Sequence, residues 1–138
     1  MVAQKDCIFC RIANGEIPVR KIYEDEDAIA FLDIHPANLG HTLIITKMHY
    51  EDIISCDEIT ARRIMGVVKR VCEKVRKELK TDSMHILENI GEFSGRHVAH
   101  LHFHVIPRYP GDDVKFEYPG KKMAENDIDR MQSLMKLD

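Results

Sequence analysis

The sequence has no tryptophan, and aromatic residues fill only 7% of its 138 positions. It has no long hydrophobic run either. Stretches such as Ala28–Leu32 and Leu43–Ile45 are strand-sized, which argues against a bilayer-spanning helix and a membrane partner. The segment from Met1 to Asp6 offers no apolar leader, so a cytoplasmic chain is expected. Neither sign of charge dominates: 20 basic against 23 acidic side chains leave a net charge of −3, which does not build a basic footprint for duplex nucleic acid. Five prolines and seven glycines are thinly spread and mark turns, without repeats, low-complexity tracts or linkers. Four cysteines do not make a disulfide scaffold, because they divide into a tight pair, Cys7 and Cys10, and two positions on one helical segment, Cys56 and Cys72. The latter two read as small hydrophobes or inert thiols. What remains is one domain over residues 1–138, with 44% apolar residues for a core and a polar tail over 109–138.

Hydrophobic patterning divides that domain into short elements. Ile8–Ala13 reads as a short helix stopped by Asn14-Gly15. Lys21–Glu24, Ala28–Leu32 and Thr42–Thr46 read as strands, the first two joined by the acidic turn Asp25-Glu26-Asp27. From Ser55 to Lys80, Ser55 and Glu58 form a capping-box pattern. Apolar residues then recur at Ile59, Ile64, Val67, Val68, Val71, Cys72, Val75 and Leu79, predicting a long helix lying across a sheet. Met84–Leu87 and His100–Ile106 follow as strands, and Ile128, Met131, Leu134 and Met135 suggest a short terminal amphipathic helix. The connections within each strand group are too short for parallel crossovers. The expected fold is therefore α+β, a five-stranded antiparallel sheet with one long helix and short N- and C-terminal helices.

Eight histidines stand out, and three of them alternate in His100-Leu101-His102-Phe103-His104-Val105-Ile106. Strand side chains alternate faces, so three imidazoles share one side at spacings of ~6.6–7 Å while Leu101, Phe103 and Val105 share the other. The apolar side can pack under the long helix, leaving the imidazoles facing a cleft, solvent or another protein. Such a row serves either as a metal site or as a nucleophile with orienting neighbours. Upstream, Asn89-x-Gly91-x-x-x-Gly95-Arg96 could aim backbone N–H groups at a phosphate. Cys7 and Cys10, one helical turn apart, can hold one ion; a redox role is weaker, since no parallel βαβ unit surrounds them. His35 and His41 read as loop or structural residues.

The alternating histidines resemble the signature of the histidine-triad (HIT) family, His-φ-His-φ-His-φ-φ with φ apolar. Companion runs extend the resemblance over nearly the whole chain: Cys7–Cys10, Gly15–Pro18, Phe31–Ile34 with Pro36, Gly40–Leu43, Lys47–Tyr50 and Ile106–Arg108. It implies a nucleotide hydrolase or transferase acting at an α-phosphate, most readily on a purine nucleoside phosphoramidate, with dinucleoside polyphosphates or nucleotide binding without turnover as alternatives. By the same resemblance, His102 attacks phosphorus and His104 bonds a non-bridging oxygen. Asp33 would meet the ribose hydroxyls, and Ile8, Phe9 and Leu43 would line a base pocket, with Ile12 and Phe31 nearby. Asn89, Gly95, Arg96 and His97 would face the phosphate. Relatives often carry Gly-Gln before a Ser or Thr where this chain has Gly95-Arg96-His97, a change suited to a more anionic leaving group.

In relatives that share the cysteine pair, the resemblance implies one structural zinc per chain, held here by Cys7, Cys10, His49 and His100, with no metal needed in the chemical step. It also implies a homodimer, for which apolar residues on more than one side of the long helix, including Ile64, Met65 and Val68, give a hint. A third class of function, a zinc-held interaction protein whose histidine row meets a partner, uses the same residues.

Overall fold

The computed structural model describes residues 4–138; Met1 to Ala3, the first part of the segment read as lacking a leader, lie outside the described residues. The elements run α1 (Ile8–Ala13), β1 (Lys21–Glu24), β2 (Ala28–Leu32), β3 (Thr42–Thr46), α2 (Glu58–Leu79), β4 (Met84–Leu87), a 3-10 turn (Glu92–Ser94), β5 (His102–Pro107) and α3 (Glu125–Met135). The strands form one antiparallel sheet in the order β1-β2-β3-β5-β4. Among the described residues, no helix is long and apolar enough to cross a membrane.

Both faces of the sheet centre are covered, which is why β2 and β3 read as continuous apolar runs rather than alternating ones. On one face, Ile64, Val67, Val68, Val71 and Val75 of α2 pack on Ala28, Ala30, Ile44, Leu101, Phe103 and Val105. The two alanines let the helix lie close to the strands. Cys56 and Cys72 are half-buried against this core, as small hydrophobes are. On the opposite face, Phe9 and Ile12 of α1 pack on Ile29, Phe31, Leu43 and Ile45. A short helix therefore roofs the side to which the triad points.

Four expectations are corrected. α2 starts at Glu58, capped by Asp57, whose carboxylate accepts the Thr60 N–H at 2.9 Å; Ser55 instead bonds Asp52 in the preceding turn. A carboxylate at the N-cap also meets the positive end of the helix dipole. The last strand starts at His102, because Leu101 turns its N–H to the Tyr50 carbonyl at 2.7 Å, outside the regular ladder. Ile64 and Val68 face the core and give no dimer signal, leaving Met65 and Ile59 exposed on the outer side of α2. α3 forms, but its apolar residues, Ile128, Met131, Leu134 and Met135, are exposed rather than packed.

The loop from Asp33 to His41 is pinned from several sides. Asn38 Nδ2 donates to the Pro107 carbonyl at 3.0 Å and to Asp112 at 2.9 Å, and the Tyr109 hydroxyl donates to the Leu39 carbonyl at 2.6 Å. Asp112 is in turn gripped by Arg108 through Nε at 2.9 Å and Nη2 at 2.8 Å, which holds its carboxyl well below the usual range. Gly40 has φ +89°, and a Cβ there would lie 2.5 Å from Leu79 at the end of α2.

Candidate functional site

Strand parity assembles the site. Asp33 continues the face of Ile29 and Phe31, His41 that of Leu43 and Ile45, and register pairs Leu43 with His104 and Ile45 with His102. Directly paired residues share a face, so Asp33, His41, His102 and His104 all project toward the α1 side.

His102 is buried, not solvent-facing. Phe9 meets it edge-on with centroids 4.9 Å apart, and the His104 ring lies 5.0 Å away. His102 Nδ1 lies 2.6 Å from the His100 carbonyl. A carbonyl only accepts, so Nδ1 carries the proton and Nε2 keeps its lone pair. Burial is the main cause that pushes the His102 pKa below the ordinary imidazole value, which keeps that lone pair available as pH falls.

His104 is set by a partner that sequence reasoning left as structural. The Ala37 N–H donates to His41 Nδ1 at 3.0 Å, so His41 carries its proton on Nε2. That nitrogen lies 2.9 Å from His104 Nδ1 and donates to it, leaving His104 with an N–H at Nε2. Asp33 Oδ2 stands 3.7 Å behind His41 Nε2. Burial first, then the neighbouring His102 and His41, hold the His104 pKa at about 4, and burial likewise lowers that of His41. The result is a neutral N–H donor on His104 beside a neutral His102 ring whose Nε2 keeps its lone pair. His41 shares parity with Leu43, and that was the signal available in the sequence.

Cys7, Cys10, His49 and His100 offer four ligand atoms within 4.8 Å of one another. Cys7 caps α1, its Sγ accepting the Cys10 N–H at 3.4 Å, which points both sulfurs the same way. Cys7 Sγ lies 3.2 Å and Cys10 Sγ 3.5 Å from His100 Nδ1, and Cys10 Sγ lies 3.3 Å from His49 Nδ1. Those separations are near the edge of ~3.5 Å that a tetrahedron built from zinc–sulfur and zinc–nitrogen bonds would have. His100 Nε2 donates to the Thr46 carbonyl at 2.7 Å, leaving Nδ1 free toward the sulfurs. These residues fit a closed structural metal site. A second cluster, Asp33, His41 and His104, does not, since the lone pair of His41 is already taken by Ala37 N–H.

The remaining predicted residues divide. Phe9 and Leu43 are buried on the triad face, whereas Ile8 is half-exposed at the rim. Asn89 follows β4 and begins the loop toward His100, in which Gly91 (φ +81°) and Gly95 (φ +84°) bracket the 3-10 turn. His97 is exposed, while the Arg96 side chain is mostly covered.

The family model for the HIT domain matches residues 14–111. The chain belongs to the HIT domain family. It is 52% identical over 114 residues to an uncharacterised HIT-like protein of Methanocaldococcus jannaschii, covering 80% of this chain and 86% of that one. An adenosine 5′-monophosphoramidase of Saccharomyces cerevisiae is 35% identical over 94% of this chain and 78% of its own. An adenylylsulfatase of Arabidopsis thaliana is 36% identical over 79% of this chain and 55% of its own. Among solved structures, a Streptococcus mutans protein superposes with a TM-score of 0.90 at 32% identity, covering 96% of this chain and 84% of that one. A zinc-bound histidine triad family protein of Mycobacterium smegmatis gives a TM-score of 0.75 at 36% identity, covering 84% of each chain. The HIT fold expected from the sequence is the one observed.

Proposed function

We propose that this HIT protein is a hydrolase that cleaves nucleoside 5′-monophosphate derivatives at the α-phosphorus through a nucleotidyl-histidine at His102. The observation that carries this reading is the 2.6 Å contact of His102 Nδ1 with the His100 carbonyl, which dedicates Nε2 to attack. Nε2 forms a bond to phosphorus as the bond to the leaving group breaks. Water then displaces the imidazole, releasing the nucleoside monophosphate and a proton. The Nε2–H of His104 meets a non-bridging oxygen through the attack, a contribution of about 2.7–4 kcal/mol if it acts as an oxyanion donor. Asp33 binds the ribose hydroxyls, and Phe9 and Leu43, with Ile8 at the rim, flank a purine. Asn89 and the Gly95 backbone face the phosphate.

The yeast relative's activity supports a purine nucleoside phosphoramidate as substrate. A second reading, a dinucleoside polyphosphate, is favoured by Arg96, whose charge suits a phosphate leaving group. One zinc held by Cys7, Cys10, His49 and His100 would fix α1, and with it Phe9, against β5; its role is structural. A homodimer belongs to this reading too, with β4 as a free sheet edge bearing half-exposed Ile86. A monomer mass by scattering at micromolar concentration would refute the dimer.

Quenching the protein with alkaline denaturant after mixing with a 32P-labelled nucleoside phosphoramidate, then treating the denatured protein with acid, tests the chemistry. An acid-labile adduct lost in His102→Asn is expected. Binding without adduct or turnover would make the protein a nucleotide carrier instead.

A further inference from the structure

Resting on the hydrolase reading above, we propose that Asn38 is a positioning residue for that reaction. Its side-chain amide clamps the turn that aims His41 at His104, and it acts on catalysis only through those two rings.

The clamp uses every polar atom of the side chain. Asn38 Nδ2 donates to the Pro107 carbonyl at 3.0 Å and to Asp112 Oδ2 at 2.9 Å, and Oδ1 accepts the Leu39 N–H at 3.3 Å. Both partners of the nitrogen only accept, which fixes the orientation of the amide and occupies both of its N–H groups. The Asp112 side chain is 7% exposed and is held ionised by Arg108, so the bond it accepts from Asn38 is charge-assisted. Arg108 is itself tied to the β4 side, its N–H donating to the Ser83 carbonyl at 2.8 Å and its Nη1 to His85 Nε2 at 2.9 Å. The acceptors of Asn38 Nδ2 therefore belong to the end of β5 and the segment after it, outside the loop they restrain.

From that anchor the turn is built. The Asn38 carbonyl accepts the His41 N–H at 3.1 Å, and Gly40, third of the four residues, takes the positive φ that a type II turn requires there. The turn folds the His41 ring back so that Nδ1 takes the Ala37 N–H while Nε2 reaches His104 Nδ1. His41 lies one residue outside the ladder, which begins at the Thr42–Val105 pair. The Asp33 N–H holds the His41 carbonyl at 3.0 Å and so places its backbone, whereas the ring direction depends on where Ala37 stands.

Ala37 is exposed, so water competes for its N–H whenever the turn opens. His41 then loses the donor that keeps its own proton on Nε2. His104 in turn loses the partner that leaves its N–H at Nε2, toward the phosphate. Aspartate in place of Asn38 has the same shape but sets an oxygen against the Pro107 carbonyl and the Asp112 carboxylate, both of which need a donor. That substitution opens the clamp without opening a cavity.

A double-mutant cycle in the full chain, with a nucleoside phosphoramidate as substrate, tests whether Asn38 works through His41. Asn38→Asp should lower kcat about 10- to 100-fold, no more than loss of the His104 donor itself. In a His41→Leu background the same substitution should cost less than about threefold, because the ring it acts on is gone. Losses that multiply, or an unchanged kcat in Asn38→Asp, would overturn the proposal. Amide hydrogen exchange gives a readout that needs no turnover. The Ala37 N–H should be protected in the parent and lose that protection in Asn38→Asp, while core amides such as that of Ile44 keep theirs. A loss of protection spread evenly over the chain would assign Asn38 a purely structural role, and retained protection at Ala37 would remove the clamp; either refutes the inference. Should Asn38→Asp fold poorly, Asn38→Ala removes the donors without adding a charge and completes the same cycle. Absence of a His102 adduct in the parent would instead refute the hydrolase reading, leaving exchange at Ala37 to judge Asn38.

Discussion

Replacing His102 separates its chemistry from its packing, because two substitutions differ in what they preserve. Asn places an amide N–H near the position of Nδ1 and can still donate to the His100 carbonyl, now 2.6 Å from the ring. Ala leaves that carbonyl without its donor, at about 1–3 kcal/mol, and opens space beside Phe9, whose ring lies 4.9 Å away. The expected loss of stability is about 2–4 kcal/mol for Ala and under about 1 kcal/mol for Asn. At roughly 4 °C per kcal/mol for a chain of this size, the Ala variant should melt about 8–15 °C lower, and Asn within about 4 °C of the parent. Neither retains a nucleophile, so turnover should fall at least about 10⁴-fold in both, a barrier rise of about 5.5 kcal/mol. Thermal melts and single-turnover assays with alkali-quenched protein measure the two effects independently. Turnover by His102→Asn within 100-fold of the parent would refute the nucleophile. Equal melting of the two variants would refute the buried, carbonyl-anchored ring.

Metal analysis of protein prepared without chelators should find about one zinc per chain, and Cys7→Ser with Cys10→Ser should remove it; zinc persisting in the double variant would place the ion on the triad. His104 is held at about 4 and His102 below its ordinary value, so the acid limb of kcat/KM should lie below the ordinary imidazole range, and a limb at 6.5 would contradict neutral buried imidazoles. His104, at about 4, binds a proton more readily unfolded, so its contribution to stability should be full above about pH 6.5 and decline toward pH 4, measured by urea midpoints. His41→Gln retains a donor toward His104 and should keep kcat within about tenfold, whereas His41→Leu should lose about 10²–10³; equal kcat in both would remove His41 from the positioning of His104.

The periodicities that depend on one residue's neighbours along the chain were legible. Alternation in β5 put Leu101, Phe103 and Val105 under α2 and the histidines opposite, and Asn14-Gly15 ended α1 where expected. The four candidate zinc ligands come together as the resemblance implied. What could not be read depends on partners distant in sequence. His102 is buried because α1, ninety residues earlier, folds over it. His41 acquires its role from the Ala37 amide and from a strand over sixty positions away. Asp57 and not Ser55 caps α2, while Ser55 bonds Asp52 in the turn before it, a choice between two capping side chains that the sequence pattern does not decide.

The pinned loop from Asp33 to His41 bears on how the catalytic cycle ends. With Asn38 and Leu39 both held by the segment 107–112 and Gly40 close against Leu79, the wall proposed to meet the nucleoside is built before any ligand arrives. A rigid wall pays little ordering entropy, and it grips the nucleoside equally in substrate, covalent intermediate and product. Such uniform affinity lowers KM without lowering the barrier. Under the proposed hydrolysis it slows departure of the nucleoside monophosphate, so turnover would be throttled by the accumulation of that product.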